Sequence, residues 1–202
     1  STSDGTFWHE MGHNLGPIHA NFWDTDGKSS IGPGKNAEYG NSFDVMGGSG
    51  SGRNGHFNAS FKNQIGWLTS DLFTAVEAPG TYRIWQYDQA VADVSKRYAL
   101  RIKKDNQRDY WVEFRQRYGA SNNWITNGVH LNWDRWGVGG NDAATNGANG
   151  GSQLIDTTPG SPDNKNDAAL VLGRTFSDTE TGIHITPVSK NATTPPSMDV
   201  VV

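Results

Sequence analysis

Hydrophobic positions change their period once along this chain. From residue 57 to 68, in F-N-A-S-F-K-N-Q-I-G-W-L, Phe57, Phe61, Ile65 and Leu68 fall at helical spacing. Asn58 or Ser60 is placed to cap the start, so a helix over this stretch is expected. After Leu72 the pattern alternates. Residues 81–87, 98–103, 110–116, 128–133, 153–157, 168–172, 182–187 and 198–202 read as short strands, bounded by Gly, Asn and Pro turns. In Tyr98-Ala-Leu100-Arg-Ile102-Lys and Tyr110-Trp-Val112-Glu-Phe114-Arg, apolar residues alternate with polar or amphipathic ones, as half-buried strands do. Eight such segments predict an antiparallel β-sandwich. Ala78-Pro79-Gly80 punctuates the change of period, so the chain divides into residues 1–75 and 76–202. There is no internal repeat.

Composition narrows the class. A chain of 202 residues can bury a substantial core, and 8 Trp, 8 Phe and 6 Tyr make that core aromatic, while 25 Gly imply long, turn-rich connections. A net charge of -4 without a basic cluster argues against nucleic acid or an anionic membrane surface as partner. No apolar run approaches the roughly 18 residues needed to span a bilayer. The lack of cysteine removes disulfides, thiolate metal ligands and thiol nucleophiles.

Chemistry concentrates in residues 8–20, W-H-E-M-G-H-N-L-G-P-I-H-A. His9 and His13 are four apart, so on a helix both imidazoles leave one face and can reach one ion. Glu10 stands beside the first, where a carboxylate can take a proton from a water held there. Gly16 can end the helix in a left-handed conformation and turn the chain back, bringing His19 to the same ion. By chance, H-E-x-x-H-x-x-G-x-x-H should arise in on the order of one in 10⁵ chains of this composition.

Residues 39–49 read Y-G-N-S-F-D-V-M-G-G-S, with Met46 held before a Gly pair that can make a tight turn. Together with H-E-M-G-H-N-L-G-x-x-H-A, with G-H-F-N-A-S-F-K-N-Q-I-G-W and with the later L-I-D-T-T-P-G-S, D-A-A-L and T-F-S-D, this wording resembles the gametolysin-type peptidases of the metzincin clan. The resemblance runs from about Trp8 to about Pro187. It implies an α+β chain: residues 1–75 as the C-terminal part of a metzincin-like catalytic domain, with metal helix, Met-turn and following helix, and residues 76–202 as the β-sandwich. It further implies a secreted zinc endopeptidase acting on extracellular, cell-wall or matrix proteins, with Zn²⁺ held by His9, His13 and His19. Glu10 would be the general base, Met46 the support beneath the metal, and His56 a residue near the substrate pocket.

Two departures stand out. Several metzincin families carry a Tyr two residues after the Met, and Gly48 occupies that position here. The metal helix also begins almost at residue 1, ahead of which a metzincin has a sheet and a helix. A preceding segment or second chain is therefore expected to complete the cleft and cover Phe7, Met11 and Leu15.

Other groups have weaker patterns. Asp24, Asp26 and Gly27 form a fragment of a calcium loop or an Asx turn. Asp142, Asp156, Asp163 and Asp167 lie in loops that suit Ca²⁺ or simple solvation. Trp124, Trp133 and Trp136 suit either a sugar-stacking surface or a sandwich core. The alternative from another class is a non-catalytic module that binds polysaccharide or matrix and keeps a structural zinc; Glu10 argues against it, because such a site has no use for a base. Zinc hydrolysis of a non-peptide amide would use the same residues.

Overall fold

The computed structural model describes residues 4–48, 55–117, 123–135 and 151–202. In chain order its strands are β1 (Asn21–Asp24), β2 (Lys35–Ala37), β3 (Phe73–Val76), β4 (Thr81–Trp85), β5 (Ala99–Lys103), β6 (Arg108–Glu113), β7 (Gly128–Arg135), β8 (Gln153–Leu154), β9 (Leu170–Val171), β10 (Phe176–Asp178), β11 (Ile183–Asn191) and β12 (Ser197–Val201). The helices are α1 (Asp4–Asn14), α2 (Ala59–Gln64) and α3 (Asn123–Thr126). The chain is thus mixed α+β and mostly sheet. Each of the eight expected strands has a counterpart; β1, β2, β3 and β10 lie outside them.

These strands form two sheets. The larger runs β2-β1-β8-β7-β6-β5-β3, with β9 also paired to β7, and the smaller runs β10-β11-β12-β4. The smaller is antiparallel throughout, as expected of the sandwich. In the larger, β1 pairs with β8 and β3 with β5 in parallel, so that sheet is mixed. Between β3 and β5 the chain crosses to the smaller sheet as β4 and returns, and a crossover of that kind is what a parallel pair requires.

The period-2 pattern builds the layer between the sheets. Leu100, Ile102, Tyr110, Val112, Val129, Leu131 and Trp133 from the larger sheet pack with Ile84, Phe176, Ile185, Met198 and Val200 from the smaller. The alternate positions are not solvated. Ala99 and Trp111 pack with Leu68, Leu72 and Phe73, while Phe22 and Leu154 pack with Phe43 and Ile125. Ala20, Met46, Phe57 and Phe61 form a further cluster beneath α1. The larger sheet is therefore covered on both faces, and Glu113, Arg115, His130 and Asn132 are buried on the face that meets Asn41, Phe43 and Ala59. Residues on the two sides of position 75 share this sheet, since β1 and β2 join it through β8.

Asn58 caps α2, its side chain accepting the Phe61 N–H at 3.1 Å, which is worth about 1 kcal/mol. The helix is shorter than its apolar period. Gly66, at φ +78°, turns the chain so that Trp67 and Leu68 both donate to the Lys62 carbonyl. Among the described residues no helix is long and apolar enough to cross a membrane.

Candidate metal centre

His9 and His13 leave α1 on one face, with ring centroids 4.9 Å apart. The helix ends where the Leu15 N–H bonds the Gly12 carbonyl and the Gly16 N–H bonds that of His13. Gly16 adopts φ +112°, a conformation that L side chains avoid, and the chain turns back there. An Ala20 N–H bond to the Met46 carbonyl, 2.8 Å, fixes the returning segment. His19 thereby lies 5.5 Å from the His9 ring and 5.1 Å from that of His13, centroid to centroid. One ligand nitrogen from each residue lies within 4.8 Å of the others; among the described residues this is the one such group of three.

The hydrogen bonds of these rings decide which nitrogens can ligate. Nδ1 of His9 donates to the Val45 carbonyl at 2.9 Å, and Nδ1 of His13 to the Pro17 carbonyl at 3.0 Å. Nδ1 of His19 donates to the Glu38 carboxylate at 2.7 Å. An acceptor at Nδ1 places the proton there in a neutral imidazole, so Nε2 of each ring keeps its lone pair for a metal. All three donors are oriented in this way, and the set fits a borderline ion that accepts imidazole. Replacing the orienting carboxylate in Glu38→Ala should weaken metal binding about 10- to 100-fold, read by competition with a chromophoric chelator. Unchanged affinity would remove Glu38 from the centre.

The turn at Met46 supports this arrangement from below. Met46 is fully buried, and its Sδ lies 2.2 Å from where a Cβ on Gly12 would stand, so the helix can cross the thioether only because residue 12 has no side chain. Asp44, also fully buried, shapes the turn: its carboxylate accepts the Met46 N–H at 2.7 Å and the Asn58 N–H at 2.6 Å. Burial pushes its pKa up to about 7, against the pull of those two donors and of Arg115. Beneath it, Glu113 accepts the Ala59 N–H and pairs with Arg115, whose Nη1 donates to the Phe43 carbonyl. The resulting turn directs the Val45 carbonyl at His9 and the Met46 side chain under α1.

Comparisons of the chain with protein-family models, with curated proteins and with solved structures return no match.

Glu10 is exposed on α1 beside His9. Gly48 offers no side chain. Instead, Tyr39 packs on two of the imidazoles, its ring centroid 3.8 Å from that of His19 and 5.9 Å from that of His9. Its backbone is held at φ +60° by an N–H bond to Asn21 Oδ1, 3.0 Å. Glu38, Tyr39, Asp44 and Gly12 escaped the sequence reading, although Tyr39 and Asp44 stand inside the Y-G-N-S-F-D-V-M segment. Phe7, Trp8, Met11 and Leu15 form an exposed apolar flank of α1.

The remaining expected groups lie elsewhere. His56 lines a separate cavity with Trp67, Tyr87 and Tyr98. Burial pushes its imidazole down to about 3, so it is neutral near pH 7. The Asp24 carboxylate accepts the Asp26 N–H, the bond of an Asx turn, and pairs with Lys35. Asp156 and Asp167 both accept from the Thr158 hydroxyl, and Asp163 is exposed; among the described residues they form no metal-holding group. Trp133 is fully buried against Trp23, so it belongs to the core and to no sugar-binding surface. Trp124 is half-buried and donates to the Ala169 carbonyl at 3.1 Å. Asp142 and Trp136 lie outside the described residues.

Proposed function

We propose that this chain is a zinc endopeptidase of gametolysin-like kind, exported, acting on protein or peptide substrates with Glu10 as its base. The observation that carries the reading is the matched anchoring of three convergent imidazoles through Nδ1, which leaves three Nε2 atoms for one ion. Zinc bound there would supply a Lewis acid that acidifies a water and polarises a carbonyl. Glu10, exposed beside His9, takes a proton from the attacking water and returns it to the leaving amine nitrogen. No protein nucleophile is needed. A structural site would explain the three imidazoles but not a carboxylate at position 10.

The electrophilic place that Gly48 leaves empty is assigned to Tyr39, the phenol packed against two of the ligands. Tyr39→Phe should lower kcat about tenfold with KM and zinc content unchanged, a loss of about 1.4 kcal/mol of transition-state stabilisation. A kcat equal to that of the parent would leave the role unfilled.

The reading as a whole is tested by elemental analysis of undialysed protein alongside peptide hydrolysis. One zinc per chain is expected, with activity lost on chelation and restored by Zn²⁺. Protein free of transition metal, or activity indifferent to chelator, would sink it.

A further inference from the structure

A cavity of about 330 Å³ opens beside α2, walled by Trp67, Leu68, Tyr87 and Tyr98, with His56 and Lys62 at its polar side. That volume suits a small ligand. Its polar groups are unequally engaged. The Tyr87 hydroxyl donates to the Phe57 carbonyl, and the Tyr98 hydroxyl accepts the Asp93 N–H at 2.7 Å. His56 is held neutral by burial.

Lys62 is different. Its ammonium lies 3.9 Å from the centroid of the Tyr87 ring, and its hydrogen bond to the Tyr87 carbonyl is long, at 3.5 Å. It belongs to no ion pair among the described residues. The carboxylates whose fields reach it are committed to other donors: Glu113 to Arg115 and the Ala59 N–H, Asp88 to the N–H groups of Gln116 and Arg117, and Asp44 to those of Met46 and Asn58. Burial brings the amine down to about 8, so it remains largely charged at pH 7. A cation with three N–H donors, set in an aromatic wall and given one poor acceptor, is complementary to an anion with an apolar body.

We propose that this cavity is a binding site for a carboxylate carried on an apolar or aromatic group, with Lys62 as its counterion. Phe57 links it to α1: its ring packs edge-on against Trp67, centroids 5.7 Å apart, and reaches within 3.0 Å of the Cβ position at Gly12. Two sources share the required chemistry, the acidic group of a peptide substrate and a free small carboxylate. The first source rests on the peptidase reading; the site itself does not.

The test titrates the intact protein with 3-phenylpropionate and with its uncharged match 3-phenylpropionamide, following the indole N–H resonance of Trp67. Metal-loaded and chelator-treated samples are compared. The acid should bind at least about tenfold more tightly than the amide in both samples, since only the acid brings an opposite charge to the Lys62 ammonium. Lys62→Met should bring the two to parity while leaving the amide's affinity unchanged. Equal affinities in the parent protein would overturn the proposal, and so would a preference that survives Lys62→Met. Absence of any Trp67 shift, or acid binding abolished by chelator, would overturn it as well. The parent comparison decides the matter even if the variant fails to fold. Peptide pairs differing by Glu or Gln at one position then identify the source. Faster cleavage of the Glu peptide, lost in Lys62→Met, assigns the carboxylate to substrate; equal cleavage beside tight phenylpropionate binding assigns it to a free ligand.

Discussion

Glu10→Ala should lower peptide hydrolysis by about 10²-fold or more while zinc stays at one per chain. The separation of the two effects follows from position. Glu10 is exposed on α1, whereas the three rings are anchored by Val45, Pro17 and Glu38. Removing it takes away a proton acceptor and leaves ligands, turn and core intact. Hydrolysis and zinc content measured on the same preparation check this. Parallel loss of both would show that Glu10 holds the site together rather than moving a proton.

Gly47→Ala should be the most damaging small change near the centre, at about 3 kcal/mol of stability together with weakened zinc binding. A Cβ at residue 47 would stand 1.7 Å from the Asn41 carbonyl oxygen and 2.7 Å from its carbon. Those are backbone atoms and cannot rotate away. Nor can Asn41 retreat, because it is fully buried, donates to Asn132 Oδ1 and accepts the Phe43 N–H. Relief must come from the turn itself, which aims the Val45 carbonyl at His9 and puts Met46 beneath Gly12. Gly48→Ala is the control, since its nearest contact is 3.2 Å from the Tyr39 carbonyl. Urea midpoints and zinc affinities of the two variants give the answer, and equal tolerance at both positions would refute the clash.

The convergence of three histidines was legible because their spacing is local: four residues bring His9 and His13 to one face, and Gly16 turns the chain for His19. What orients those rings was not. Glu38 lies 19 residues from His19 and Val45 lies 36 from His9, and no periodicity links such pairs. Alternation placed the strands of the sandwich well, yet it described only one of their faces. In β6 and the residue after it, Val112 and Phe114 face the core between the sheets, as the pattern suggests. Glu113 and Arg115 alternate with them and read as solvent-facing, although both are buried under the helical layer. Charge misleads there because a neutralised ion pair and a row of backbone partners substitute for water. The short strands β1 and β2 escaped notice because N-F-W-D and K-N-A lie among polar turn residues and are too brief for a period to emerge.

The joining of β1 to β8 bears on how the molecule comes apart. Asn41 reaches Asn132, Asn58 reaches Ser152, and the Ala59 N–H reaches Glu113, so the helical layer is tied to the sheet by buried bonds as well as by strand pairing. Melting either part alone would break those bonds and uncover the apolar residues packed around them, each bond being worth about 0.5–1.5 kcal/mol. Residues 1–75 and 76–202 are thus joined by strand pairing and by buried hydrogen bonds. An ion at the three histidines would act as a clasp for the whole chain, its grip felt as far away as the strands that never approach it.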